Sequence, residues 1–229
     1  MMKSWILVLG IALMFCPEDV DAGSLNGNTG LVTVPTAEMP EDREVCFGMN
    51  WLDRNSYLSG TSRYNTIIVY ATVGYLPFLE ISPCLTRYAT NQHVRRLGLG
   101  ARSVTIRLRL FSEGAIAPSV VLGLQDPLGV KESNASYLVT SRGFRPYNID
   151  VNLHLGYGVD WIEAKEHQFL GLFGGVSLSP KPFVALMLEH DSNRFNCGMR
   201  ISIFNRMEVL LAFLDFDTFS GGMSYRFGI

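Results

Sequence analysis

Charge is scarce in this sequence. Of 229 residues only 17% are Asp, Glu, Lys or Arg, while 48% are hydrophobic, which excludes a disordered or solvated polar chain. The signs nearly cancel, 19 basic residues against 21 acidic, so electrostatics gives no reason to expect nucleic acid as a partner. There are four cysteines with no C-x-x-C spacing, which offers neither a disulfide framework nor a zinc site. The longest apolar run, residues 5–15, covers eleven positions. A membrane-spanning helix needs about 20. A Gly-x-Ser-x-Gly elbow, a phosphate loop and His pairs at metal spacing are also missing, and no cofactor or metal is expected.

The short apolar run has a simple reading. Lys3 precedes it, Pro17 ends it, and Val20-Asp21-Ala22 puts small residues where a signal peptidase reads, so residues 1–22 are expected to form a secretory signal peptide. A lipoprotein signal ending at Cys16 is the alternative, but Phe15 stands where that motif wants a small residue. Removing Lys3, Glu18, Asp19 and Asp21 with the leader leaves eighteen charges of each sign. Cys46, Cys84 and Cys197 remain, read as small thiols, with one bridged pair as the alternative.

From residue 44 onward the dominant signal is period-two alternation in about twelve segments separated by Gly, Pro, Asn and Asp, which makes the chain all-β. Val104, Ile106, Leu108 and Leu110 oppose Thr105, Arg107, Arg109 and Phe111; Ile149, Val151, Leu153, Leu155 and Tyr157 oppose Asp150, Asn152, His154, Gly156 and Gly158. Alternation suits both a soluble β-sandwich acting as a binding module and a membrane barrel. Three features favour an antiparallel transmembrane β-barrel of about twelve strands. The polar faces carry balanced charges, Glu80, Asp150, Glu189 and Glu208 against Arg107, Arg109, Arg200 and Arg226. Connections alternate between short turns (76–77, 113–117, 179–182, 205–206) and longer polar stretches (53–63, 91–101, 126–134, 160–167), although 191–194 and 215–218 are short. The last segment is amphipathic and aromatic, with Phe219, Met223, Tyr225, Phe227 and Ile229 on one face. Tyr64, Tyr75, Phe78, Tyr147, Tyr157 and Trp161 are candidates for interfacial girdles. The expected organisation is a signal peptide (1–22), an N-terminal periplasmic or plug segment (23–43) and a barrel (44–229) in a bacterial outer membrane, with lipid as its surroundings.

The stretch Gly30-Leu31-Val32-Thr33-Val34-Pro35-Thr36-Ala37 resembles the opening motif of the YjbH-like family of exopolysaccharide-associated outer-membrane proteins. Leu76-Pro77-Phe78-Leu79-Glu80, Arg102-Ser103, Glu113-Gly114, Gly123-Leu124-Gln125-Asp126 and Gly221-Gly222-Met223-Ser224-Tyr225 follow that family's pattern in the same order. Asp42 is followed by Arg43 where the family commonly has Asp-Gly, and many members are much longer and labelled lipoproteins. The resemblance implies a role in producing or exporting an extracellular or capsular polysaccharide, with polysaccharide and periplasmic export proteins as partners and no enzyme activity.

Arg107, Arg109, Asp150, Asn152, His154 and Arg200 are the lumen-facing candidates for glycan contact, because guanidinium groups and amides hydrogen-bond carboxylates and hydroxyls. The competing reading has them pair with lumen carboxylates and stiffen the barrel. A barrel enzyme acting on lipid or glycan is a further alternative, and it needs His154 beside a Ser hydroxyl and an acid. His190-Asp191-Ser192 is read as a loop, since neighbouring strand residues point to opposite faces.

Overall fold

The computed structural model describes residues 23–59, 64–89, 101–127, 134–160, 169–204 and 206–228. The leader, most of the 91–101 and 160–167 stretches, Trp161 and Ile229 lie outside these residues. The described residues form twelve strands: β1 (Glu44–Leu52), β2 (Asn65–Gly74), β3 (Leu79–Ala89), β4 (Arg102–Phe111), β5 (Ser119–Gln125), β6 (Ala135–Phe144), β7 (Asp150–Val159), β8 (Gly171–Lys181), β9 (Val184–His190), β10 (Phe195–Ile203), β11 (Met207–Leu214) and β12 (Thr218–Gly228). Each pairs antiparallel with its sequence neighbours, and β1 pairs with β12, so the sheet closes into a barrel with no free edge. That closure is what lipid demands of strands, because every ladder group finds a partner.

The alternation sets the outer face. Phe47, Met49, Val69, Leu138, Leu153, Leu155, Leu186, Leu188 and Met223 are exposed, an apolar belt that fits lipid and not water. Tyr64, Tyr75, Phe78, Tyr147 and Tyr157 are exposed near strand ends, where aromatic girdles lie. Phe111 was expected on the polar face with Arg109, but it is exposed. The β4 to β5 register shifts between Arg109 and Phe111, and this bulge turns the side chain outward. Both the entry to β1 and the exit from β12 lie at the end bearing the tight turns 75–78, 145–149 and 182–183. In outer-membrane barrels this is the periplasmic end.

The lumen is not merely polar. Residues 23–39 run through it, and their apolar side chains meet inward-facing wall residues in two clusters. Leu25, Leu31 and Val32 pack with Leu52, Ile68, Met187, Leu210 and Leu214. Val34, Ala37 and Met39 pack with Val121, Tyr137, Val139, Phe169 and Phe173. Each fully buried Leu or Val of this kind contributes about 1.5 to 3 kcal/mol. Gly156 and Gly158 are where the Phe173 ring and the Phe169 carbonyl press against the wall, leaving no room for a Cβ. At the tight-turn mouth the chain leaves the lumen and joins β1, with the Leu76 N–H donating to Asp42 Oδ1 at 2.9 Å and Arg43 N–H to the Gly74 carbonyl at 3.0 Å.

Candidate functional site

The wall grips the backbone of residues 23–39 through a few charged and amide side chains. Gly30 and Pro35 form an isolated antiparallel bridge, and Leu31 N–H donates to the Val34 carbonyl at 2.9 Å, so residues 31–34 make a tight loop. A Cβ at Gly30 would lie 2.5 Å from the Val34 oxygen, so the closeness of the two backbones requires glycine there. The loop turns its amides toward Glu189 on β9. Its carboxylate accepts from the N–H groups of Val32 (2.9 Å), Thr33 (2.9 Å) and Val34 (3.1 Å), from the Thr33 hydroxyl (2.5 Å) and from Asn196 Nδ2 (3.0 Å). Successive backbone amides cupping an anion form a nest; here the anion belongs to the barrel wall.

The loop's carbonyls meet cations. Arg200 Nη2 donates to the oxygens of Gly30 at 2.8 Å and Leu31 at 3.1 Å. Arg107 Nη2 donates to the carbonyls of Thr36 and, at 3.1 Å, Glu38. Arg107 Nη1 bonds Glu80 Oε2 at 2.6 Å, and neither side chain is exposed at all. Glu80 Oε1 accepts from Thr29 N–H at 3.3 Å. Asn50 Nδ2 donates to the carbonyls of Ser24 and Leu25, both at 2.9 Å, and Thr72 Oγ1 to that of Gly27 at 2.8 Å. Of the ion pairs a balanced lumen suggests, Arg107 to Glu80 and Arg226 to Glu208 form, whereas Glu189 and Arg200 bond the chain's own backbone.

His154 Nδ1 lies 2.7 Å from Ser141 Oγ, the contact a barrel hydrolase would need. The hydroxyl oxygen, however, accepts the Ala37 N–H at 2.7 Å, and among the described residues nothing partners the buried Nε2 where a relay would place its acid. The geometry is that of a tether for residue 37. His190 packs against Phe195 with the rings tilted by 53° and their centroids 4.6 Å apart, while Asp191 caps its turn by accepting from the N–H groups of Asn193 and Arg194. At the loop end the Tyr57 hydroxyl donates to Asp191 Oδ2 at 2.5 Å, beneath the Arg194 guanidinium, 4.4 Å from the ring centroid. Burial first, and the adjacent Asp191 second, push the Tyr57 phenol well above its ordinary range.

Below the grip, at the tight-turn mouth, lies a cavity of about 590 Å³, within the range of about 300 to 1,000 Å³ usual for small-molecule sites. Arg109, Asp150, Asn152 and Arg200 line it, with Ser112, Ser119, Ser177, Ser179 and Ser202. Arg109 is braced on the Pro77 and Met39 carbonyls at 3.1 and 3.3 Å, and Asp150 pairs with Arg145. The six candidates therefore divide. Arg107 and, through Ser141, His154 hold the inserted segment; Arg109, Asp150 and Asn152 face the cavity; Arg200 does both. Sequence reasoning did not select Glu189, Asn50, Thr72 or Ser141. Glu189 carried a signal, a lumen-side acid, but its partners are backbone amides that no residue pattern announces. Cys46, Cys84 and Cys197 are free thiols, and among the described residues no cluster of His, Cys, Asp and Glu could hold a metal ion.

The family profile described as exopolysaccharide biosynthesis protein YbjH matches residues 23–227. The "Uncharacterized lipoprotein YjbH" of Escherichia coli (strain K12) is 28% identical over 137 residues, 57% of this chain and 18% of that protein. The matched part thus spans less than a fifth of this relative's length. Among solved structures, a "KdgM porin" superposes with a TM-score of 0.49 at 10% identity, over 80% of this chain and 99% of that one. With its closed antiparallel barrel and apolar belt, the molecule resides in the outer membrane.

Proposed function

From the premise that this chain belongs to the exopolysaccharide biosynthesis YbjH family, we propose that it serves the production or export of an extracellular polysaccharide as a plugged, non-enzymatic barrel. The observation that carries this reading is the position of residues 30–37, the stretch that resembles the family's opening motif: they are fastened inside the lumen by Glu189, Arg107 and Arg200. A polymer cannot thread the barrel while they stay there. The protein acts as a scaffold at the periplasmic mouth, and any conduit role requires a partner from the export machinery to displace the segment.

The mouth cavity is the surface offered to glycan. Three guanidinium groups (Arg109, Arg145, Arg200) balance three carboxylates (Glu38, Glu113, Asp150), and five serines and Asn152 supply hydroxyl and amide partners. Such a lining suits a hydroxyl-rich saccharide segment without high net charge. Deleting the gene and quantifying extracellular polysaccharide tests the role: loss supports it, and an unchanged amount overturns it. Arg109→Ala and Asn152→Ala then test the cavity. A folded barrel with reduced polymer supports glycan contact there, and wild-type polymer in both variants removes the cavity from the account.

A further inference from the structure

Gly23, the first residue the structure describes, is buried within the lumen, where a Cβ would strike the Tyr70 hydroxyl. It borders a second cavity of about 10 Å³, room for one small polar group. Asn50, Tyr70, Arg200, Glu208 and Ser224 supply its polar side chains, and Leu210, Gly222 and Met223 complete the lining. Glu208 is only half satisfied. Its Oε1 accepts from Arg226 Nη2 at 2.6 Å, while its buried Oε2 accepts no hydrogen bond. Arg226 also serves Glu44 at 2.9 Å, so one guanidinium is shared by two carboxylates. The other cation on this cavity, Arg200, gives Nη2 to the carbonyls of Gly30 and Leu31, and no ion pair joins it to Glu208 among the described residues. The Tyr70 and Ser224 hydroxyls bring no charge. A buried carboxylate oxygen without a donor is costly, and the group that would satisfy it is a small cation carrying N–H donors.

We propose that Gly23 is the amino-terminal residue of the mature protein and that its ammonium group fills this cavity against Glu208 Oε2, so that removal of the leader locks the inserted segment in place. The sequence supplies the cleavage signal, Val20-Asp21-Ala22, immediately before Gly23. In the step itself water hydrolyses the amide bond between Ala22 and Gly23; Ala22 leaves as a carboxylate and the Gly23 nitrogen takes up protons to become an ammonium. The enzyme is a signal peptidase. An unprocessed chain presents an uncharged amide nitrogen at this position and leaves Glu208 with Arg226 alone. Processing thereby becomes a condition for a closed lumen. The inference does not depend on the export reading and survives if that reading fails.

Three measurements on the purified outer-membrane barrel test it. Intact mass fixes the first residue, and labelling with an amine-acylating reagent near neutral pH, read on the N-terminal peptide, reports whether the amine is buried. The expected result is a mass beginning at Gly23 and at least tenfold slower labelling in the folded barrel than in the heat-unfolded one. Insertion of Asn-Gln between Ala22 and Gly23 leaves every barrel residue intact, keeps Val20 and Ala22 where the peptidase reads, and puts Gln directly before Gly23 so that cleavage there is disfavoured, which moves the ammonium away from Glu208. That insertion and Glu208→Gln should each restore labelling, and the two together should add nothing to either alone. A chain beginning elsewhere, including an acylated Cys16, overturns the proposal. So does equal labelling of folded and unfolded protein, or an insertion variant whose amine is as protected as in the wild type.

Discussion

The upper lumen and the mouth cavity are built from the same residue types and use them in opposite ways. Around residues 30–37 the charges are consumed: Glu189 takes five donors, and Arg107 joins Glu80 to two backbone carbonyls. At the mouth, serines and Asn152 surround about 590 Å³ of open space, with Arg145 and Asp150 both partly exposed. The difference teaches where binding is affordable. Ionic groups whose hydrogen bonds are already made are structural, whereas hydroxyls facing a cavity retain capacity for a ligand.

That contrast breaks first at Glu189. Glu189→Ala removes one acceptor from five buried donors, and each orphaned donor costs about 1 to 3 kcal/mol, so the largest effect is release of residues 30–37. A steep fall in the barrel's thermal transition in detergent, together with new ion conductance, would register it. Arg107→Met comes next. It strands Glu80 as a lone buried charge at a cost of about 3 to 5 kcal/mol, and adding Glu80→Leu should recover most of the loss in thermal unfolding. If the double variant is no better than the single, the pair is not what holds this part of the wall.

Tyr57→Phe is smaller, about 1.5 to 3 kcal/mol for the hydrogen bond to the Asp191 carboxylate. It also carries a pH signature. Because the folded phenol ionises later than the unfolded one, its contribution is complete below the unfolded value of about 10 and declines as pH rises above that. Wild-type stability should therefore fall more steeply above that pH than that of Tyr57→Phe, and parallel curves would contradict the assignment. Smallest of all, Asn152→Ala should alter stability by less than about 0.5 kcal/mol, while reducing polysaccharide if the mouth contacts glycan. A large stability loss in that variant would erase the distinction between the two regions.

The barrel was legible because lipid and lumen impose period two on every strand, and Leu153 against His154 reads correctly without a structure. The interior was less so. Leu52, Ile68, Leu210 and Leu214 face inward despite being apolar, since their partners are Leu25, Leu31 and Val32, residues far away in the chain. Phe111 misled because a bulge shifts the register by more than alternation can express. Arg107 and Arg200 are legible as lumen groups, but their hydrogen bonds to the carbonyls of residues 30, 31, 36 and 38 are not, and only Arg200 also lines the mouth cavity. Charge patterns reveal complementary charges, not dipoles of the backbone.

The most direct test of the central claim is single-channel conductance of the purified barrel beside a Glu189→Ala variant in planar bilayers. The account predicts a closed wild-type channel and a conducting variant. A wild-type barrel that conducts continuously, or a variant as silent as the wild type, would contradict a lumen held shut by Glu189 on residues 32–34.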